Sequence, residues 1–183
     1  MKLRKTNING VFEIILEPNK DDRGSFTRLY DNKLFEEYNL NTKWVQTNYS
    51  YSKKKGTIRG LHFQYKPSTE VKLVYPMKGK AYFAIVDIRK DSVTFGKYIG
   101  ITVEENKNGI YIPKGCANGF CTLTDNCVFH YSMSEEYNSS LEDNLRWDDK
   151  ELNIEWPLEC KVISDRDRNA QTFEKFKKYR GGL

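Results

Sequence analysis

The sequence predicts an all-β protein of antiparallel strands, with a jelly roll as its natural form. Short strand-like segments follow one another with turn signals between them, and long helices do not alternate with them. Twelve tyrosines and ten phenylalanines add to this, because aromatic side chains favour the pleated, half-buried surface of a sheet. The run Ala81 to Val86 is continuously apolar, as expected of a strand covered on both faces.

Taken in order, strands are predicted at residues 11–16, 25–30, 43–50, 59–64, 71–76, 80–89, 97–103, 109–112, 119–124 and 127–133. Turns are marked by Asp21-Asp22-Arg23-Gly24, Lys78-Gly79, Asn106-Lys107-Asn108-Gly109 and Pro113-Lys114-Gly115. Two short helices are predicted, at residues 33–38 and 171–179. No repeat or linker interrupts the chain, and 183 residues suffice for one core without disulfides, so a single domain over 1–183 is expected.

Composition narrows the function classes. The four cysteines (Cys116, Cys121, Cys127, Cys160) form no C-x-x-C pair, and two histidines make no zinc cluster, so free thiols and no structural metal are expected. The apolar stretch at 11–16 is too short for a signal peptide or membrane span, which predicts a soluble cytoplasmic protein. The net charge of +5 gathers in runs such as Lys53-Lys54-Lys55, read as solvated faces and not as a nucleic-acid surface. A phosphate-bearing small molecule in a cavity is the better use of that charge.

With only His62 and His130 available, base chemistry near neutral pH has few candidates. In Arg59-Gly60-Leu61-His62-Phe63-Gln64, alternation turns Leu61 and Phe63 to one face, and His62 and Gln64 to the other. That pattern suits a cavity lining and a solvated sheet face equally. Gln46, Asn48 and Ser50 share one strand face, Lys72 lies opposite Val71 and Leu73, and Tyr131 lies opposite His130.

These segments belong to a longer ordered set: Asp22 to Phe26, Val45 to Asn48, Arg59 to Gln64, Lys72 to Val74, Val86 to Arg89, Thr94 to Gly96, Ile112 to Gly115 leading to Gly119-Phe120, Tyr131, Trp147 to Asp149, Trp156-Pro157 and Ser164 to Asp167. In these blocks the chain resembles the nucleotide-sugar 3,5-epimerases typified by dTDP-4-dehydrorhamnose 3,5-epimerase. The resemblance implies a cupin-type jelly-roll barrel with short flanking helices, usually a homodimer, using no metal or organic cofactor. It also implies inversion at C3 and/or C5 of a nucleotide-diphosphate 4-keto-6-deoxy sugar, in the supply of surface polysaccharide sugars. By match to the family, His62 is the base, Asp167 its partner, Tyr131 the acid on the opposite face and Lys72 the stabiliser of the enolate oxygen. Nucleotide and diphosphate contacts fall to Arg23, Gln46, Asn48, Arg59, Glu142 and Arg166. Strict alternation separates Arg59 from His62, so a bulge at Gly60 or a contact with a partner subunit is needed to reconcile them.

Three positions depart from the family pattern. Asn118 stands where a histidine is usual, and Phe83 replaces the aspartate that commonly supports it. The pair of changes avoids a buried, unpaired carboxylate, and Asn118 keeps a hydrogen bond for a sugar or enolate oxygen. Arg28 replaces an acidic residue and suits the O6/N7 edge of guanine, which brings GDP-linked heptoses into view beside dTDP-linked hexoses. A nucleotide-sugar ketoisomerase and a non-catalytic sugar-binding cupin are the competing readings.

Overall fold

The computed structural model describes residues 1–183, the side chain of Arg180 excepted. Its elements, in order, are β1 (Lys2–Lys5), β2 (Phe12–Ile15), β3 (Asn19–Asp21), β4 (Gly24–Phe26), α1 (Asn32–Glu37), β5 (Gln46–Ser52), β6 (Ile58–Gln64) and β7 (Lys72–Lys78). They continue with β8 (Lys80–Asp87), β9 (Tyr98–Glu104), β10 (Asn108–Ile112), β11 (Cys116–Thr122), β12 (Cys127–Met133), β13 (Glu142–Asn144), α2 (Asp165–Arg168) and α3 (Phe173–Arg180).

Two open antiparallel sheets carry the fold. One has six strands in the order β1-β2-β10-β7-β12-β5, the other five in the order β13-β6-β11-β8-β9. β3 and β4 form a separate hairpin whose residues are all exposed.

The expectation of an all-β closed barrel is therefore corrected. Neither sheet joins its end strands by hydrogen bonds, and the molecule is a mixed α/β sandwich with helical segments on its outer faces. The reason lies in the side chains. Val74, Phe83, Ile85, Ile110, Phe120 and Phe129 fill the space between the sheets. The outward residues of the same strands are apolar too, and they need their own cover. Phe12, Ile14, Leu73, Tyr75 and Tyr111 of the six-stranded sheet pack with Phe35 of α1. Leu61, Phe63 and Val86 of the five-stranded sheet pack with Phe173 and Phe176 of α3.

The helices begin where the local chemistry allows. Asp31 caps α1 by accepting from the Leu34 amide, and Thr172 caps α3 by accepting from that of Lys175. α3 ends at Gly181, whose φ of 68° is the left-handed stop. The predicted strand at 25–30 ends at Phe26, and the short β1, β3, β13 and α2 carry too few residues to show a period.

Candidate active site

β6 carries an irregularity that sets the site. Across β11, His62 pairs with Asn118 and Arg59 with Phe120, so three steps on β6 answer two on β11. The extra residue is a bulge, and it brings Arg59 and His62 to one side. Both line a cavity of about 360 Å³ together with Ser164, Arg166 and Asp167. Only glycine serves at position 60: its φ is +113°, and a Cβ there would lie 2.5 Å from Gly119 Cα and 2.6 Å from the Asn118 carbonyl oxygen.

His62 is partly exposed to the cavity, while Asp167 is 3% exposed behind it. His62 Nε2 lies 2.7 Å from Asp167 Oδ1. Asp167 also accepts from the Gly60 amide at 3.2 Å and from Asn144 Nδ2 at 3.2 Å. Burial pushes this carboxyl up, but the hydrogen bonds from His62, Gly60 and Ser164 outweigh it and hold it below the ordinary value. Asp167 is thus an acceptor, which assigns the proton of the neutral ring to Nε2 and the lone pair to Nδ1. Its place depends on α2, where Ser164 caps the helix by accepting from the Asp167 amide at 3.1 Å.

Lys72 and Asn118 join the two sheets. Lys72 Nζ on β7 donates to Asn118 Oδ1 on β11 at 2.9 Å, and it pairs with Glu70 Oε1 at 3.0 Å. Both residues are buried, Lys72 at 8% exposure and Asn118 at 6%. Phe83, beyond Asn118 on the same inner surface, is fully buried with its ring 5.1 Å from that of Phe120 and 5.5 Å from that of Phe129. That end of the interior is closed by aromatic packing and offers no room for a charged pair.

Tyr131 on β12 shares its hydroxyl with Ser50 Oγ at 3.1 Å. Burial pushes its phenol up to about 12, although Ser50 and the Arg59 guanidinium pull the other way. Arg59 reaches from the wall of the His62 cavity to β5, donating to Ser52 Oγ at 3.2 Å and to the Tyr51 carbonyl at 3.0 Å. It thereby links the histidine strand to edge strand β5, whose Ser50 meets Tyr131 of the adjacent β12. Gln46 accepts from the Tyr137 amide at 2.6 Å, and Asn48 is exposed on the same strand. Glu142 accepts from Tyr137 Oη at 2.7 Å and pairs with Arg166 at 2.8 Å.

Two sequence candidates lie elsewhere. Arg23 sits on the exposed β3–β4 hairpin against Asp21, and Arg28 pairs with Asp31 at 2.9 Å on a different cleft, lined by Glu17, Phe26 and Lys33. His130 lies on the outward side of β12, opposite Tyr131, with burial pushing its imidazole below the usual value. Sequence reading missed Glu70 and Asn144, which carry no periodic signal. The Ser164-x-x-Asp167 spacing, a helix-capping pattern, was the available cue for Ser164. Among the described residues, no group of three or more His, Cys, Asp or Glu side chains is arranged to hold a metal ion. No helix among them is long and apolar enough to cross a membrane.

An imidazole backed by a carboxylate, with a buried ammonium and a high-pKa phenol on neighbouring strands, is the equipment of an acid–base isomerase. Comparison with known proteins says which kind. The family model for dTDP-4-dehydrorhamnose 3,5-epimerase matches residues 5–175. The dTDP-4-dehydrorhamnose 3,5-epimerase of Shigella flexneri is 42% identical over 177 residues, 94% of this chain and 96% of that one. The crystal structure of the Bacillus anthracis dTDP-4-dehydrorhamnose 3,5-epimerase with TDP and PPi bound is 40% identical, with a TM-score of 0.90 over 93% of this chain and 98% of its own. A 4-keto-6-deoxy sugar epimerase from the novobiocin gene cluster of Streptomyces spheroides has a TM-score of 0.92 at 30% identity, over 97% of this chain and 90% of its own. The chain belongs to the dTDP-4-dehydrorhamnose 3,5-epimerase family. It is an epimerase acting on a nucleotide sugar.

Proposed function

We propose that the protein inverts C3, C5 or both in a dTDP-linked 4-keto-6-deoxy hexose, with His62 as base and Tyr131 as acid. The observation that carries this reading is the 2.7 Å contact between His62 Nε2 and the buried Asp167, which leaves Nδ1 as the ring's lone-pair nitrogen. A C–H beside the C4 ketone loses its proton to Nδ1, and its electron pair moves onto the C4 oxygen as an enolate. Asp167 stabilises the imidazolium that forms, and Lys72 faces the enolate oxygen as a compact cation. Tyr131 Oη then returns a proton to the same carbon from the opposite face, which inverts it. Water reprotonates the phenolate and takes the proton from His62, so the enzyme is restored without oxidation or reduction.

Arg59 and Arg166, both lining the His62 cavity, suit the diphosphate. Gln46, Asn48 and Glu142 suit the nucleoside at the outer end, and Asn118 supplies a neutral hydrogen bond to the sugar. The dTDP-linked relatives support thymine over the guanine reading, and Arg28 pairs with Asp31 on another cleft. The exposed β3–β4 hairpin carries Arg23 and Phe26, the latter 68% exposed, and Val45 just before edge strand β5 is exposed, as are Tyr49 and Tyr51 on it. These features support a homodimer in which the hairpin of one copy brings Arg23 to the cavity of the other. Residues 1–183 act as one catalytic domain in the cytoplasm, without a cofactor.

The test is incubation with dTDP- and GDP-linked 4-keto-6-deoxy sugars in deuterated water, with NMR reading of C3 and C5. Deuterium at either carbon with inverted configuration, and preference for the dTDP substrate, is the expected result. Movement of the carbonyl without inversion would assign a ketoisomerase, and binding without exchange a non-catalytic sugar-binding protein.

A further inference from the structure

We propose that Glu70 is a positioning residue that aims the Lys72 ammonium at the carbonyl oxygen, an inference resting on the enolate role given to Lys72 above. A lysine side chain has four rotatable bonds, and a donor that stabilises a developing oxyanion must be held in place before the charge appears. Lys72 Nζ is held between two oxygens. One N–H donates to Asn118 Oδ1 at 2.9 Å, and the charge of the ammonium is paired with Glu70 Oε1 at 3.0 Å. Held between these two oxygens, the ammonium has lost most of its freedom to swing and keeps donor capacity for the substrate.

Glu70 is itself anchored. Its Oε2 accepts from Gln64 Nε2 at 3.0 Å, and the same amide nitrogen reaches the carbonyls of Ser68 and Glu136 at 3.1 and 3.3 Å. Gln64 Oε1 accepts from the Asn138 amide at 2.7 Å. Gln64 lies two residues beyond His62 on β6, so base and ammonium are referenced to one strand. Glu70 and Lys72 side chains are 8% and 10% exposed, so water does not compete strongly for either partner. The ammonium has no acceptor capacity, which turns the Asn118 oxygen toward it and presents Asn118 Nδ2 as a second, neutral donor.

The experiment is a double-mutant cycle on the full chain with Glu70→Gln and Lys72→Met, reading kcat and KM for the dTDP-linked substrate and solvent deuterium exchange. Glu70→Gln keeps shape and removes charge. It is expected to lower kcat about ten- to a hundredfold with KM within about threefold, because aim is lost and binding is not. Glu70→Asp, which withdraws the carboxylate by one methylene, is expected to lie between Gln and the native residue. The double variant is expected to be no slower than Lys72→Met alone, within about a factor of two, as for groups acting in series. A native kcat in Glu70→Gln, or multiplicative losses in the double variant, overturns the positioning role while leaving Lys72 in place. Unchanged exchange in Lys72→Met overturns both that role and the enolate assignment beneath it.

Discussion

Replacing Asp167 by Asn should separate chemistry from folding at this site. The native carboxylate answers three donors: His62 Nε2 at 2.7 Å, the Gly60 amide at 3.2 Å and Asn144 Nδ2 at 3.2 Å. An amide offers one oxygen and an NH2 group, so at least one donor faces another donor. Leaving one buried donor unanswered costs about 1–3 kcal/mol. For a chain of this size each kcal/mol lowers Tm by about 2–4 °C, a loss that scanning calorimetry resolves without abolishing the fold. The catalytic loss is larger. If the Asn NH2 faces Nε2, the ring moves its proton to Nδ1 and the base lone pair turns away from substrate. A dyad that loses its tautomer and its carboxylate typically slows by about 10³–10⁴-fold. Initial rates of deuterium exchange at saturating substrate, on samples shown folded by circular dichroism, are the assay. A variant within tenfold of the native rate would refute Asp167 as the partner of His62.

Other perturbations have separate signatures. Tyr131→Phe removes the returning acid but not the base, so deuterium wash-in at the abstracted position should persist while inverted product falls about 10²–10⁴-fold; NMR of the product mixture checks it. Gly60→Ala puts a methyl group against the Gly119 backbone at a φ of +113° and should cost at least about 2–3 kcal/mol, read as a lowered urea midpoint. Asp87 is pushed up by burial, but bonds from Arg89, Ser92 and Thr94 bring it down to about 2. Its folded value lies below its unfolded one, so its contribution of roughly 2 kcal/mol is complete above about pH 4 and is lost as pH falls toward 2. Asp87→Asn should therefore flatten acid unfolding in that window, as followed by fluorescence against pH.

Much of the site was legible because strands report orientation every second residue. Alternation alone puts Lys72 against Leu73 and Tyr131 against His130, and the structure keeps each pair on opposite faces. The conflict between Arg59 and His62 was visible as a broken alternation, and the register shift beside Gly60 resolves it. What the residues did not carry was closure of the sheets. A strand buried on both faces reads the same in a barrel wall as in an open sandwich, and only the bonding of end strands distinguishes them. The cover by Phe35 on one side and by Phe173 and Phe176 on the other comes from short helices whose apolar residues are too few to announce a layer. Glu70 is silent in the sequence for a different reason: a carboxylate in a loop reads as solvated, and only the fold sets a buried ammonium beside it.

The most direct measurement is exchange of the sugar hydrogens with deuterated water in the His62→Asn variant, alongside its affinity for dTDP. With Nδ1 as the base, exchange at C3 and C5 should vanish while the nucleotide binds nearly as in the native enzyme. Exchange that continues in this variant would contradict proton removal by His62 and move the base elsewhere in the cavity.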